Sequence, residues 1–167
     1  MHANSLMLDK DLSLSIGVRD VTTRTNTELM IEVEFAGLCG SDLHVLKSGD
    51  WVEYWPATLG HEVCGLVRSG ENDEFPPGTR VIVDSRMPRI GKTGAITADR
   101  FDPELRWLGE ARPGGFAQFV STEAVTLHRV PESVPAEVAV LAEPLAVVSC
   151  AVDRVSGLKP ESILVLG

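Results

Sequence analysis

Polar and apolar residues alternate over much of the chain before residue 130, with the two-residue period of half-buried β-strands. In the segment ELMIEVEFAG, for example, Leu29, Ile31 and Val33 would share one face of a strand. Segments with this pattern, or with a short apolar run of strand length, are 12–16, 29–35, 62–68, 80–84, 116–120 and 124–130. The pattern therefore predicts a mainly β region with some long loops.

After residue 130 the pattern changes to helices. Pro135 opens one predicted helix, and a second is predicted over 143–156, where a proline in the first turn is tolerated. The last segment, SILVLG at 162–167, is predicted to be a buried strand. These features divide the chain into a mainly β domain, 1–130, and a helical connection with one strand, 131–167.

Composition narrows the possible partners. The chain has 167 residues, 44% of them apolar, which suits one globular domain with a core. The formal net charge is −9 and there is no cluster of Lys or Arg, so neither nucleic acid nor an anionic membrane is expected as a partner. No apolar run has the length of a membrane span, and the N-terminus does not have a signal-peptide pattern. The three cysteines are irregularly spaced and predict no disulfide framework, so a cytoplasmic location is expected.

Candidate metal ligands are concentrated in one stretch that contains Cys39, His44, His61 and Glu62, with Glu143 further along the chain. Thiolate, imidazole and carboxylate are all zinc ligands, and three of them with one open position form a catalytic zinc site. Spacing alone leaves a second interpretation open, in which the cysteine is a small buried residue and the His-Glu pair is solvated. The segment HEVCG excludes the HExxH metalloprotease pattern, because it has no second histidine.

Seven short sequence motifs follow one another along the chain and add to the evidence from the candidate ligands. GLCGSDLH is followed by PATLGHEVCG, PGTRVIV, GGFAQFV, LHRVPESV, LAEPLAVVSCAV and LKPESILVLG. Together they resemble the medium-chain dehydrogenase superfamily, and within it the zinc-dependent alcohol dehydrogenases. The resemblance runs from about residue 29 to the end and implies a mainly β fold with some α, a GroES-like β-barrel catalytic domain. Glu143 in EPLAV resembles the polyol, sorbitol and threonine dehydrogenase-like branch, which has a glutamate at this position. The alcohol dehydrogenases best known for this fold have a cysteine there.

The resemblance implies roles residue by residue. The implied zinc-binding residues are Cys39, His61, Glu62 and Glu143. Glu62 is implied as a residue beside the metal, or as an exchanging ligand, that tunes the metal during catalysis. Whether Glu62 or Glu143 is the third ligand stays open. Ser41 matches a proton-relay hydroxyl. Apart from the resemblance, the local pattern predicts that Ser41-Asp42 caps a short helix over residues 43–47. His44 matches a histidine near the substrate, with packing against that helix as the alternative.

Two departures from the family pattern matter. Segment 85–115 has no cysteine, although many members bind a structural zinc there with four, so one catalytic zinc and no structural zinc are expected. The family's dinucleotide-binding GxGxxG turn would begin at Gly167, where the sequence stops. NAD or NADP is therefore expected to bind through a Rossmann domain that this sequence does not contain, and the last segment would be that domain's first strand.

Three interpretations follow. The chain is a fragment of a zinc-dependent dehydrogenase for a small secondary alcohol or polyol, a homo-oligomer when whole. Alternatively, it is one subunit of a split enzyme whose cofactor domain is a separate polypeptide. The third interpretation is a stand-alone GroES-like module that binds zinc or a small ligand without redox activity.

Overall fold

The computed structural model describes residues 1–87, 89–90, 96–97, 105–158 and 161–164. Its strands are β1 (His2–Leu8), β2 (Leu14–Asp20), β3 (Glu28–Gly37), β4 (Glu62–Ser69), β5 (Arg80–Val83), β6 (Arg86–Met87), β7 (Arg89–Ile90), β8 (Ile96–Thr97), β9 (Arg106–Trp107), β10 (Phe119–Glu123) and β11 (Leu127–Arg129). Its α-helices are α1 (Gly40–Ser48), α2 (Ala136–Ala139) and α3 (Ala142–Val155), with 3₁₀ turns at Ala124–Thr126 and Ser156–Leu158.

Five antiparallel strands form the central sheet, in the order β10-β3-β4-β5-β11. Side chains on its inner face form the main core, in which Leu29, Ile31, Val67, Val81 and Val120 are fully buried. Within β3, Leu29 and Ile31 are two positions apart, so the period-two pattern in the sequence marks the side chains that face the core. The prediction of a mainly β fold is confirmed.

The close pairing of β3 with β4 requires a glycine at position 65. A Cβ atom on Gly65 would lie 2.2 Å from the main-chain oxygen of Glu32 on β3. Any larger residue would push the two strands apart where they are fully inside the core. The register of this pair also shifts between Val33 and Phe35, which marks a bulge before the two strands continue towards Gly37.

Strands β1 and β2 form a separate antiparallel hairpin. Backbone hydrogen bonds from Leu6 N to Phe116 O and from Leu8 N to Ala57 O, both 2.8 Å, fasten β1 to the loops beside the central sheet. Buried side chains of β1 add to this attachment, with Leu8 packed beside Val45 and Ala3 beside Met30, whereas β2 leaves Ile16 82% exposed.

The helices after residue 130 differ in their packing. Helix α2 buries Ala136 and Ala139 against Cys64 of β4. Helix α3 contains no buried residue among those described. No helix in the described part of the chain combines the length and apolar character needed to cross a membrane.

Several element boundaries differ from the predictions. Helix α1 begins at Gly40 with Cys39 as its N-cap, so Ser41 is inside the helix and is not its cap. Segment 124–130 begins with a 3₁₀ turn before β11. The buried strand predicted at 162–167 is wrong for its described residues, since Ile163 and Leu164 are exposed and have no strand partner in the described ranges. A lone strand has no neighbour that could satisfy its backbone or cover its side chains.

Candidate metal centre

Three of the predicted ligands come together where β3 ends and β4 begins. The Cys39 Sγ, a ring nitrogen of His61 and a carboxylate oxygen of Glu62 all lie within 4.8 Å of one another. Cys39 precedes α1, while His61 and Glu62 lie at the entrance to β4. Thiolate, imidazole and carboxylate form a donor set suited to zinc.

The segment before His61 is fixed by packing on both sides. Leu59 is buried against Val45 of α1. The carbonyl oxygen of Gly60 accepts a 2.8 Å hydrogen bond from the amide of Gly115. Because the backbone is held immediately before His61, the histidine enters the cluster from a constrained position.

Asp42 links the two parts of the cluster. Its side chain is almost completely buried, and Oδ2 accepts a 2.9 Å hydrogen bond from the amide of Cys39. Its other oxygen, Oδ1, accepts a 3.3 Å bond from the amide of Gly60 and lies 3.7 Å from His61 Nδ1. A carboxylate beside a ligating histidine orients the ring and increases its basicity. The sequence analysis assigned Asp42 only to helix capping. The signal available in the sequence was an acidic residue three positions after a candidate ligand.

Glu62 reaches the cluster because its partner on β3 is a glycine. Gly37 and Glu62 are opposite each other in the β3–β4 ladder. A Cβ atom on Gly37 would lie 1.8 Å from Glu62 Oε2, so the carboxylate occupies the space that a side chain would fill. Glu62 is buried, and its carboxylate has little other room.

Glu143 is near the cluster but does not belong to the group of mutually close donors. It lies in the first turn of α3 and lines a cavity of about 650 Å³, together with Asp84 and Arg86. Burial raises the pKa of Glu143; the positive charge of His61 opposes the shift, and Glu62 and Asp84 add to it. The structure therefore places Glu143 within electrostatic reach of the predicted ligands.

Ser41 is the second residue of α1 and is half-buried. Within the described part of the chain, its hydroxyl makes no hydrogen bond to another protein group. The proton-relay role of Ser41 remains a prediction.

His44 lies on the exposed side of α1, outside the donor cluster. Its ring stacks on Trp51 with a centroid separation of 4.2 Å, and Nε2 lies 3.3 Å from Asp50 Oδ2. Trp51 has a positive φ of 71°, a conformation that is unusual for a bulky residue and is retained only where the surroundings impose it. His44 is thus held by two neighbours on the exposed side of α1.

One acidic residue near the cluster was missed by the sequence analysis. Glu110 is half-buried in the turn that follows β9, and its carboxylate accepts no hydrogen bond within the described residues. Burial raises the pKa of Glu110; His61 opposes the shift and Asp42 reinforces it. The turn packs against the residue that precedes His61, since a Cβ on Gly109 would be only 3.2 Å from the amide nitrogen of Gly60. No motif in the loop indicated this contact.

The predicted cofactor-binding residue, Gly167, lies outside the described residues.

Comparison with known proteins identifies the family. The alcohol dehydrogenase GroES-like domain family matches residues 25–132, more than half of the chain. This chain belongs to that family. The resemblance to zinc-type medium-chain dehydrogenases is thereby confirmed, and the curled antiparallel sheet is the GroES-like fold.

Individual relatives are dehydrogenases. A sorbitol dehydrogenase of Halalkalibacterium halodurans is 32% identical over 84% of this chain and 42% of its own length. A (R,R)-butanediol dehydrogenase of Bacillus subtilis is 35% identical over 79% of this chain and 41% of its own length. The crystal structure of a zinc-binding dehydrogenase from Sinorhizobium meliloti, bound to NADP, matches with a TM-score of 0.79 and 28% identity, over 92% of this chain and 46% of that one. The chain thus spans somewhat under half the length of these relatives.

Proposed function

We propose that this chain is the metal-holding catalytic part of a zinc-dependent dehydrogenase that transfers hydride between a secondary alcohol or polyol and NAD(P). The observation that carries this proposal is the approach of Cys39, His61 and Glu62 to within 4.8 Å of one another in a family of zinc-type dehydrogenases. The sorbitol and butanediol dehydrogenases among its relatives support the substrate class. The NADP-bound structure of a relative supports the cofactor class.

Cys39, His61 and Glu62 would hold the metal, with Glu143 as a fourth or exchanging ligand. Zinc, when bound, supplies a Lewis acid that lowers the pKa of an alcohol hydroxyl. Asp42 keeps the His61 ring oriented while it also fixes the amide of Cys39. No structural zinc is expected, because segment 85–115 has no cysteine to bind one.

Two residues of α1, Ser41 and His44, offer a path for the alcohol proton. Ser41 and His44 are three positions apart on α1 and therefore neighbours on one side of the helix. The Ser41 hydroxyl takes the proton, and His44, exposed and fixed by Trp51, passes it to solvent. This division gives the inner hydroxyl contact with substrate and the outer imidazole contact with water.

Carboxylates surround the donor cluster and favour a neutral substrate. Glu110 and Asp42 both lie within electrostatic range of His61. A phosphorylated or carboxylated substrate would meet repulsion from Glu110, whereas a polyol hydroxyl can donate a hydrogen bond to it. Glu110→Gln in a complete enzyme should therefore lower KM for an acidic alcohol relative to its neutral analogue. An unchanged ratio between the two would contradict this role.

Metal binding is tested first on the chain itself. Purified protein is loaded with Co²⁺, and the visible spectrum and the affinity against a chromophoric chelator are measured. Cys39→Ser should remove the thiolate-to-cobalt charge-transfer band and weaken binding by at least about 100-fold, because it removes one ligand of the metal. Cys150→Ser, a half-buried cysteine on α3, is the matched control and should leave both properties unchanged.

Redox function is tested in a polypeptide that joins this chain to the C-terminal half of the Bacillus subtilis relative. NAD(P)-dependent oxidation of sorbitol or butanediol that disappears with Cys39→Ser would support the dehydrogenase proposal. A folded chimera that binds the metal but oxidises no alcohol would favour a GroES-like binding module without redox activity.

Other predictions remain open to test. We propose that the mainly β part ends near residue 130, with 131–167 as the connection to a nucleotide-binding domain or subunit. A cytoplasmic location and a homo-oligomeric whole enzyme also remain predictions. Both would be checked by fractionation and by light scattering of the enzyme from its source.

A further inference from the structure

A second polar site lies away from the metal donors, between the end of the β1–β2 hairpin and β10. It is a small pocket of about 70 Å³ whose lining includes Arg19, Arg24, Arg112 and Ser121. None of the candidate zinc ligands contributes to it. Three guanidinium groups around one small pocket are unusual in a chain with a net charge of −9.

Arg112 is already paired. Its Nη1 donates a 2.9 Å hydrogen bond to Glu28 Oε1, and both groups are buried. Its Nη2 donates to the main-chain oxygen and to the hydroxyl of Ser121. The other Glu28 oxygen accepts a 2.7 Å bond from the amide of Arg24. The charge of the Glu28 carboxylate is therefore paired with that of Arg112, and it does not balance the charges of the other two arginines.

Arg19 is not satisfied in this way. Its Nε and Nη1 atoms are shielded from solvent and have no hydrogen-bond partner in the described part of the chain. Charged donors without an acceptor are costly to bury. Burial lowers the pKa of Arg19; Tyr54 opposes the shift, and the positive charges of Arg112 and Arg24 add to it. A negatively charged acceptor at this position would remove both penalties.

The nearby acidic groups do not supply that acceptor. Asp20 borders the pocket, but its Oδ1 lies 2.8 Å from His2 Nδ1 and its side chain is 70% exposed. With Glu28 committed to Arg112, the positive charges of Arg19 and Arg24 exceed the negative charge that faces the pocket. An anion is therefore favoured over water, because water could accept the hydrogen bonds but could not balance the positive charge.

We propose that this pocket binds one small inorganic oxyanion such as phosphate, held by the unpartnered guanidinium donors of Arg19 with Arg24 at its open side. A charged N–H donor binds an anionic oxygen more strongly than a neutral donor does, and the charge of Arg24 adds to the attraction. The pocket volume of about 70 Å³ suits a small ion.

The bound anion would tie two segments together, since Arg19 belongs to β2 and Arg24 to the loop before β3. A ligand that binds only the folded chain stabilises it, so an ion at this corner should strengthen the contact of the hairpin with the sheet.

The test is a calorimetric titration of the metal-free chain with inorganic phosphate at constant ionic strength, so that no bound zinc competes for the anion. Saturable binding at one site is expected, with a rise in Tm that saturates over the same concentrations. Arg19→Gln should weaken binding by at least about 10-fold, since it removes the charged donor group. The exposed Arg24→Gln provides a second variant that leaves the buried packing intact and should also weaken binding.

Arg68→Gln is the matched control, because it removes an equally charged but distant side chain on β4. It should leave phosphate affinity unchanged. Phosphate binding that is absent, or equally strong in the Arg19, Arg24 and Arg68 variants, would overturn the proposal. A Tm that rises without saturation in every variant would indicate preferential exclusion of the salt and would also overturn it. Glycerol phosphate in place of inorganic phosphate shows whether the pocket accepts only the free ion; tighter binding of the ester would overturn the assignment to an inorganic ion.

Discussion

The two sides of the candidate metal centre are built differently. Cys39, His61 and Glu62 lie on segments fixed by a buried carboxylate, by strand pairing and by backbone hydrogen bonds. Glu143 lies at the beginning of α3, a helix that contains no buried residue among those described. One side is thus assembled within the sheet, and the other depends on how a loosely packed helix is held.

We expect such a site to keep its metal on the strand-side ligands while the ligand on the helix exchanges. Ligands in strands and caps lose little freedom when a metal binds, because folding has already ordered them. A carboxylate on a loosely packed helix can approach or withdraw at a lower cost. We therefore expect the metal affinity of this chain to come mainly from the strand side.

The largest expected effect is on the strand side itself. His61→Ala should weaken zinc binding by more than about 100-fold, since it removes a ligand from the preassembled group. Affinity is measured by competition with a chromophoric chelator, and circular dichroism checks that the fold is retained. His128→Ala on β11 is the control, because that exposed histidine is not in the cluster. Equal losses in the two variants would refute the assignment of His61.

The next effect concerns the buried carboxylate that orders this side. Asp42→Asn should weaken zinc binding by about 10- to 100-fold, because the His61 ring loses its orienting charge. It should also lower the free energy of unfolding by about 1–3 kcal/mol, since two backbone amides lose a charged acceptor. Chemical denaturation and the same chelator competition measure both quantities. Asp50→Asn, an exposed change beside His44, should leave zinc affinity unaffected; a loss there as large as at Asp42 would count against the ordering role.

A smaller effect is expected on the helix side. Glu143→Gln should reduce the zinc affinity of this chain by less than about 10-fold, because Glu143 lies outside the group of close donors. Glu62→Gln provides the comparison on the strand side and should cost more. If Glu143→Gln proved the more damaging of the two, the third ligand would be Glu143 and the contrast between the two sides would be reversed. Glu137→Gln on α2 controls for the loss of a nearby negative charge.

The smallest effect tests the packing of the loop that leads to His61. Tyr54 is the single tyrosine of the chain, and its hydroxyl donates a 3.0 Å bond to Thr58 O and accepts a 2.9 Å bond from Thr58 N. Burial raises the pKa of Tyr54 to about 12. The unfolded chain loses this proton near pH 10, so the free energy of unfolding should fall as the pH rises from about 10 to about 12, with no contribution below that range.

Phenolate absorbance of the native protein measures this pKa directly, and the same titration in denaturant is the control. Half-ionisation near pH 10 in folded protein, with circular dichroism unchanged, would show that the loop is open to solvent and less ordered than the strand-side description requires.

Much of the fold followed from local patterns. Alternating residues such as Leu29 and Ile31 predicted β3, and Pro135 predicted the beginning of the helical part. Boundaries were less accurate at α1, where Cys39 and not Ser41 is the N-cap. The strand expected at 162–167 failed over its described residues because strand formation needs a neighbouring strand, which a local apolar run does not provide.

The sequence by itself determined the family, the mainly β class and the set of candidate donor residues, because these depend on short patterns and on the order of motifs. Only the tertiary structure decided which donors meet. Glu62 joins Cys39 and His61 through its pairing with Gly37, whereas Glu143 stays outside their group. The roles of Asp42 and Glu110 and the meeting of Arg19 with Arg112 also became visible only in the fold. The physical reason is that strand register and loop packing bring together groups far apart in the chain, and no local pattern records those contacts.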